Sequence, residues 1–206
     1  DTRIKMILPT LARLNKSKVV LLSHQSRPGK KDFTSTLGHS RELGRVMGKN
    51  ILWVDDIHGQ KALDAISQME NGDIVMLNNV RMDEEEIGLK GDFITLGKSK
   101  LVMALSMIAD AFVNDAFACA HRSTPSITGF THHMPCIAGE LMVEEIRKLE
   151  KAMEKPKRPA IAVLGGIKVD DSVGVAENML SKGICDHVWV TGGVANLFLH
   201  LSGIQI

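Results

Sequence analysis

The 206 residues of this chain, 44% of them hydrophobic, are enough for one or two domains with a sizeable core. The 25 basic and 24 acidic residues leave a net charge of +1, so no overall field attracts nucleic acid or an anionic membrane. Three cysteines without a CxxC pair argue against a disulfide framework or a zinc site, and neither a membrane span nor a signal peptide is visible. We expect a soluble, cytoplasmic protein in which any anion site is local.

Short runs rich in Val, Ile and Leu alternate with longer segments of helical periodicity along the chain. In chain order the pattern predicts helix 3–14, strand 18–22, helix 37–47, strand 51–54, helix 60–69, strand 74–77, helix 98–108, strand 111–113, helix 140–155, strand 160–164 and strand 187–190. Such alternation is typical of parallel strands covered on both faces. The predicted fold is therefore α/β, a three-layer Rossmann-like parallel sheet with helices on both faces, plus a truncated second α/β lobe.

A domain boundary is predicted after the charged helix at 140–155. Pro156 and Pro159 follow that helix in a charged segment, which favours a rigid link between two lobes. The residues beyond this link are too few for an independent core of normal size. We expect a first domain at 1–139, an interdomain helix and linker at 140–158, and the incomplete start of a second domain at 159–206.

Cationic side chains follow several predicted strands at the point where each strand ends. His24 and Arg27 follow the first strand, Arg81 follows the third, and His121 and Arg122 follow the fourth. Each arginine alone would be read as a surface charge, but the carboxyl ends of parallel strands share one edge of a sheet, where ligands bind. Guanidinium groups bind phosphate and carboxylate through paired hydrogen bonds. The pattern indicates a compact phosphorylated acid as ligand.

Glycine-rich turns follow both strands of the second lobe. The first turn contains Gly165, Gly166 and Lys168, and the second contains Gly192 and Gly193. Glycines let a backbone approach a ligand closely, and a lysine can reach a phosphate. Tight packing between a strand and the next helix explains a Gly-Gly turn equally well, so both interpretations stay open.

Other patterns in the chain do not form the sites that they resemble. Residues 91–99 are similar to a P-loop but have one extra residue between the glycines and no preceding strand. The adjacent His132 and His133 lack partners at metal-ligand spacing. The acidic pairs at 55–56 and 170–171 fit helix caps and first-turn charges better than metal ligands. We expect no metal site among these residues.

Six segments in this order resemble the signatures of the phosphoglycerate kinase family. They are Ser23–Pro28, Asn79–Arg81, Val113–Phe117, Ala120–Arg122, Leu164–Val169 and Thr191–Asn196. The resemblance covers the whole chain, and the His-Gln-Ser-Arg sequence after the first strand is most similar to the archaeal branch of the family.

The resemblance implies reversible phosphoryl transfer between 1,3-bisphosphoglycerate and ADP, giving 3-phosphoglycerate and ATP, in glycolysis and gluconeogenesis. It implies a cleft between two Rossmann-like lobes, Mg²⁺ bound with the nucleotide, and a monomeric full enzyme. Carried over to this sequence, the phosphoglycerate-binding residues are Arg3, His24, Arg27, Arg81 and Arg122. The residues implied to contact the transferred phosphoryl group are Arg3 and Lys168. The implied nucleotide-binding residues are Gly165, Gly166, Lys168, Gly192 and Gly193.

Three departures from the family pattern limit what this chain is expected to do. The family's first strand should precede Asp1, and most of the nucleotide lobe, with the residues on the magnesium side, should follow Ile206. Ser172 stands where bacterial and eukaryotic members have a second lysine. We expect weak phosphoglycerate binding and negligible kinase activity from this chain alone. The alternatives are a non-catalytic anion-binding α/β module and a different nucleotide-dependent kinase or sugar-phosphate enzyme on the same fold.

Overall fold

The computed structural model describes residues 2–154, 156–166 and 169–205, and the side chains of residues 169–171 lie outside this description. The chain forms two compact units, Asp1–Glu144 and Glu145–Ile206. Within the described ranges, every helix is too short or too polar to cross a membrane.

The first unit alternates short helices with short strands. Its helices are α1 Thr2–Met6, α2 Leu8–Arg13, α3 Leu37–Met47, α4 Gln60–Ser67, α5 Glu84–Gly88, α6 Phe93–Leu96, α7 Lys100–Ser106 and α8 Pro125–Thr128, and α9 Glu140–Glu154 contains the division between the units. Its strands are β1 Val19–Leu21, β2 Leu52–Val54, β3 Ile74–Leu77, β4 Phe112–Asn114 and β5 Cys136–Ala138. Single 3₁₀ turns form at Val80–Met82, Phe117–Cys119 and Gly129–His132.

All strand pairs described in the first unit are parallel. β3 lies between β1 and β2, with Val19 opposite Ile74 and Leu52 opposite Val75. β4 pairs with β5 in a separate ladder. Parallel neighbours need a crossover connection, and α3 and α4 supply the crossovers from β1 to β2 and from β2 to β3. The predicted α/β class with a parallel sheet is confirmed.

The core of the first unit lies on both faces of β3. All four β3 residues are buried, and their side chains alternate between two hydrophobic clusters. Val75 and Leu77 belong to a cluster with residues of α4 and α7, whereas Ile74 and Met76 belong to one with residues of α2 and α3. Full burial of a side chain such as Leu77 stabilises the fold by about 1.5–3 kcal/mol. Helices therefore cover both faces of the sheet, as the sequence predicted.

The structure corrects the first predicted helix. The segment predicted as one helix at 3–14 consists of α1 and α2, which are separated at Ile7. Pro9 lies in the first turn of α2, where its missing N–H costs nothing, whereas its ring would clash with the carbonyl of Lys5 in a continuous helix. The two pieces still present one apolar side, because Ile4, Ile7 and Leu8 all pack against the cluster on the α3 face.

The sequence also failed to reveal β5. All three of its residues are exposed, so they lack the buried or alternating apolar pattern by which a strand is recognised. The strand exists because its backbone pairs with β4, with Val113 opposite Ile137. Smaller differences occur at helix ends: α4 ends at Ser67, and α7 begins after Ser99, whose hydroxyl accepts the backbone N–H of Val102.

The second unit contains two parallel strands and two helices. They are β6 Ile161–Leu164, α10 Val169–Ser181, β7 His187–Val190 and α11 Gly192–Leu201. Val163 lies opposite Trp189 in the register of β6 and β7, and these two side chains are 64% and 60% exposed. One face of this two-stranded sheet is thus apolar and open in the described part of the chain.

Candidate anion-binding site

Asn79 joins the loop after β1 to the loop after β3. Its side chain is completely buried, and its Nδ2 donates to the carbonyl oxygens of Gln25 at 2.7 Å and Thr34 at 2.9 Å. Its Oδ1 accepts the backbone N–H groups of Gln25 at 3.1 Å and Arg81 at 3.2 Å. A buried amide with all of these groups paired holds its surroundings in one geometry. The two strand ends are therefore fixed against each other.

Arg81 is positioned by the same pair of loops. The Val80–Met82 turn begins directly after Asn79, and the guanidinium Nη1 of Arg81 donates to the carbonyl oxygen of Ser26. Ser26 has a φ of 54°, which only a small fraction of non-glycine residues adopt. Its hydroxyl donates to Asp32 at 2.6 Å, which holds this turn in place. The turn thus presents its carbonyl oxygen to Arg81 and orients the guanidinium.

Two buried side chains hold the imidazole of His24. Its Nε2 lies 3.0 Å from Oε1 of Glu86 and 2.8 Å from the hydroxyl of Ser126. Glu86 lies in α5 after β3, and Ser126 lies in α8, four residues after Arg122. Because these residues are 62 and 102 positions away from His24, the contacts bring three strand-end loops together.

The charge of Glu86 is stabilised by its hydrogen bonds. Burial raises the pKa of this carboxyl, but the bonds from His24 and from the amide and hydroxyl of Ser126 outweigh it, and the pKa is lowered overall. Only 3% of the residue is exposed. The buried carboxylate of Glu86 therefore lies directly against the imidazole of His24.

Arg122 carries an unsatisfied donor. Its Nε is buried and has no hydrogen-bond partner among the described residues. Such a donor costs free energy unless an acceptor reaches it, and a guanidinium is suited to a phosphate or carboxylate oxygen. Arg27, in contrast, is exposed on the loop after β1, and no hydrogen bond of its side chain is described. The geometry thus brings His24, Arg81 and the Arg122 loop together, and leaves Arg27 at the rim.

The positions of Arg3 and Lys168 relative to these residues are not tested by the described contacts. Arg3 is an exposed residue of α1, the helix that packs on the α3 side of the sheet through Ile4. Lys168 lies outside the described residues. The roles of both residues at the transferred group stay predictions.

The glycine turns of the second unit face each other. A side-chain carbon at Gly165 would lie 2.8 Å from Cγ2 of Thr191, and one at Gly192 would lie 3.5 Å from the amide nitrogen of Gly166. Gly166 and Gly192 also have φ values of +117° and +62°. Packing and backbone conformation therefore account for these three glycines, whereas Gly193 lies inside the first turn of α11. Their role at a nucleotide stays a prediction.

Asp56 behaves as the cap that the sequence indicated. Its Oδ1 accepts the amides of Ile57 at 2.7 Å and Gly59 at 3.1 Å, and its Oδ2 accepts the amide of Ala62 at 3.1 Å. Burial raises the pKa of this carboxyl, but the hydrogen bonds from the three amides lower it by more, so the pKa is lowered overall. The ionised carboxylate is occupied by the backbone amides at the start of α4. In the described part of the chain, no group of three His, Cys, Asp or Glu side chains could hold a metal ion.

Sequence reasoning missed Asn79, Glu86 and Ser126 as parts of the site. Glu86 is the third of three consecutive glutamates, and its burial distinguishes it from exposed Glu84 only in the folded chain. Asn79 carried a usable signal, because a polar residue at the end of an apolar strand is a candidate for linking neighbouring loops. For Ser126 we find no local signal in the sequence.

Fold and site together define an α/β protein with His24 and Arg81 on linked loops at the carboxyl ends of two strands of a parallel sheet. The family model of phosphoglycerate kinase matches residues 1–206, and the chain belongs to this family.

Similar proteins include the phosphoglycerate kinase of Methanothermus fervidus, 44% identical over 208 residues, which cover 100% of this chain and 50% of that protein. Phosphoglycerate kinase 2 of Methanosarcina acetivorans is 48% identical over 206 residues, covering 100% of the chain and 49% of the relative. The crystal structure of phosphoglycerate kinase from Pyrococcus horikoshii superposes with a TM-score of 0.94 at 39% identity, over 100% of this chain and 51% of that one. The resemblance to archaeal members is confirmed. The chain spans about half the length of the relatives it matches.

Proposed function

We propose that this chain is the phosphoglycerate-binding part of a phosphoglycerate kinase. In the proposed reaction, the acyl phosphate of 1,3-bisphosphoglycerate gives its phosphoryl group to an oxygen of the terminal phosphate of ADP, leaving the carboxylate of 3-phosphoglycerate and forming ATP. The observation that carries the proposal is that contacts join the loops after β1 and β3 to Ser126, which lies four residues after Arg122, and that a buried guanidinium donor of Arg122 has no partner among the described residues.

The cluster is suited to hold a small multiply charged anion. A phosphomonoester carries roughly −1.5 to −2 charges at neutral pH, which would offset the repulsion among the cations. In our proposal phosphoglycerate is bound by four side chains, those of His24, Arg27, Arg81 and Arg122. Arg3 contacts the phosphoryl group during its transfer. Phosphoryl transfer depends on positioning and on stabilising charge on the transferred oxygens, so no general base is required.

The nucleotide side of the reaction belongs, in this proposal, to the second unit. Gly165, Gly166, Gly192 and Gly193 would border the nucleotide, and Lys168 would approach the transferred group. Mg²⁺ would be bound with the nucleotide, and the role proposed here for the chain is substrate binding. The proposed division is a phosphoglycerate domain at 1–139, a helix and linker at 140–158, and the start of a nucleotide domain at 159–206, in a monomeric cytoplasmic enzyme.

Calorimetric titration with 3-phosphoglycerate tests the proposed ligand. We expect saturable binding that weakens at least about tenfold in Arg81→Ala and in Arg27→Ala, because a hydrogen bond to a charged group contributes about 1.5–3 kcal/mol. Arg45→Ala is the matched control: this arginine is exposed near the end of α3, where it pairs with Glu42 at 2.8 Å. Titration with ADP should give weak heat or none. A folded chain that shows no response to 3-phosphoglycerate, or equal binding by all three variants, would count against the proposal.

An enzyme assay tests whether this chain completes the reaction. We expect no turnover of 3-phosphoglycerate and MgATP above background, since transfer requires both substrates to be held in line across a closed, water-excluding site. Measurable turnover that is abolished by Arg81→Ala would show that the residues of this chain suffice for catalysis.

The alternative of a non-catalytic anion-binding module makes a different prediction about the surface. Leu201 and Ile204 are 72% and 50% exposed, and a free-standing module would be expected to cover apolar side chains of this kind. This exposure disfavours the module.

A further inference from the structure

We propose that Glu86 is a positioning residue: together with Ser126 it holds His24 with a proton on Nε2 and leaves Nδ1 as the ring nitrogen that is open to a ligand. The identity of the anion rests on the proposed function, whereas the state of the imidazole follows from the contacts of the three side chains alone.

The hydrogen atoms in this group can be assigned by counting donors. The hydroxyl of Ser126 has one proton, and its oxygen lies 2.7 Å from Oε1 of Glu86. An ionised carboxylate only accepts, so the serine proton points to Glu86. The serine oxygen can then only accept from Nε2 of His24, which lies 2.8 Å away. Glu86 Oε1 at 3.0 Å is also an acceptor. Both neighbours of Nε2 therefore require that Nε2 carries the proton.

The carboxylate of Glu86 is itself held so that it cannot turn away. Its Oε2 accepts the backbone N–H of Ser126 at 2.9 Å, while Oε1 faces the serine hydroxyl and His24. The side chains of His24 and Glu86 are 11% and 2% exposed, so water competes little for these bonds. The lowered pKa of Glu86 agrees with an ionised group in this position. The carboxylate therefore stays in one position and fixes the orientation of the imidazole ring.

The imidazole then has one nitrogen left for a ligand. Nδ1 has no hydrogen-bond partner among the described residues, and His24 lies on the same loop as Ser26, whose carbonyl oxygen accepts from Arg81. With its proton held on Nε2, the ring can donate to an anion from Nδ1 only when Nδ1 is protonated as well, and both nitrogens are then donors on a charged ring. A histidine ring that is free to flip would present either nitrogen to a ligand. The contact with Glu86 removes the flipped orientation before the ligand binds.

Nitrogen-15 NMR of the histidine rings reads the tautomer directly, with the His24 signals assigned by their loss in His24→Asn. We expect Nε2 of His24 to be protonated in the ligand-free chain. Glu86→Gln should shift His24 toward the Nδ1–H form, because a glutamine amide can donate to Nε2. Ser126→Ala should keep the Nε2 proton, since the carboxylate still requires it. The matched control is Glu84→Gln, an exposed residue of the same helix, which should leave the tautomer unchanged.

Titration with 3-phosphoglycerate adds the second readout. We expect Glu86→Gln to bind about tenfold more weakly than the parent chain, because a neutral ring with its only proton on Nδ1 is a weaker donor to an anion than a charged ring. Glu84→Gln should bind within about twofold of the parent chain. An Nδ1–H tautomer in the parent chain, or a Glu86→Gln variant with unchanged tautomer and affinity, would overturn the proposal. If Glu86→Gln does not fold, the parent and Ser126→Ala spectra still decide it. An Nε2–H signal that Glu86→Gln removes supports the proposal even when 3-phosphoglycerate fails to bind, a failure that would count against the proposed function alone.

Discussion

Replacing Asn79 by aspartate tests how the strand-end loops are held together. The amide Nδ2 donates to the carbonyl oxygens of Gln25 and Thr34, and Oδ1 accepts from the amides of Gln25 and Arg81. Aspartate has the same shape and keeps an acceptor for the two amides. It also places a second acceptor oxygen against two carbonyl oxygens, in a position where the native side chain is 0% exposed.

The size of the effect follows from the bonds that are lost. Each hydrogen bond from Nδ2 contributes about 1 kcal/mol, and leaving buried carbonyl groups without a donor adds about 1–3 kcal/mol. Because the loops can relax in part, we expect Asn79→Asp to lower the free energy of unfolding by about 2–4 kcal/mol. That is a large part of the roughly 5–15 kcal/mol by which domains are stable.

The loss of stability in Asn79→Asp should depend on pH, because the new carboxyl group can ionise. Burial beside two carbonyl oxygens raises the pKa of the new carboxyl in the folded chain above its unfolded value of about 4. The folded state therefore binds the proton more tightly than the unfolded state. The associated stability is fully present below the unfolded pKa and is lost as pH rises through the folded pKa. Asn79→Asp should be more destabilised at pH 8 than at pH 5.

Urea unfolding followed by tryptophan fluorescence measures this effect in the first unit alone. The chain has two tryptophans, and in a Trp189→Phe background only Trp53 reports. Nε1 of Trp53 donates to the buried hydroxyl of Thr36 at 3.0 Å, so its emission is sensitive to unfolding of the sheet. With a slope of about 2 kcal/mol per molar, the midpoint should fall by about 1–2 M. Asn50→Asp, at an exposed position, is the control. A midpoint for Asn79→Asp within about 0.2 M of the parent at both pH values would refute the reasoning.

Three further substitutions should lower the same fluorescence midpoint. Gly139→Ala places a carbon against Oδ1 of Asp115 and should cost about 1–3 kcal/mol, because the carboxylate must move away from its partners. Phe130→Ala should cost about 3–5 kcal/mol, since this 2% exposed ring stacks on Phe112 with centroids 4.7 Å apart. Ser99→Ala removes the cap of α7 and should cost about 1 kcal/mol.

Matched variants separate these effects from a general sensitivity to substitution. Gly38→Ala adds a methyl group where no atom lies within 4 Å, so its midpoint should stay close to that of the parent. Phe93→Ala removes a ring that is 48% exposed and should cost far less than Phe130→Ala. Equal losses in either matched pair would show that the packing described here does not determine stability.

Much of the architecture was readable from local patterns. The apolar run of β3 predicted a strand buried on both faces, and the three- and four-residue spacing in 37–47 predicted α3 with its ends at the observed residues. These inferences succeed because burial imposes a period of two on strands and 3.6 on helices. The order of cationic residues after the strands was equally visible, and with it the family to which the chain belongs.

The contacts that assemble the site were decided by tertiary structure. Whether the loop after β1 meets the loop after β3 depends on the strand order β1-β3-β2, which no local pattern encodes. The partners of His24 lie 62 and 102 residues away, and Glu86 differs from its neighbouring glutamates only by being buried. Local periodicity reports which face of an element is covered, whereas the pairing of distant polar atoms depends on how the covered elements pack. The amino-acid sequence thus determined most of the elements and the order of the cationic residues, whereas the packing of the sheet decided which of their loops came together.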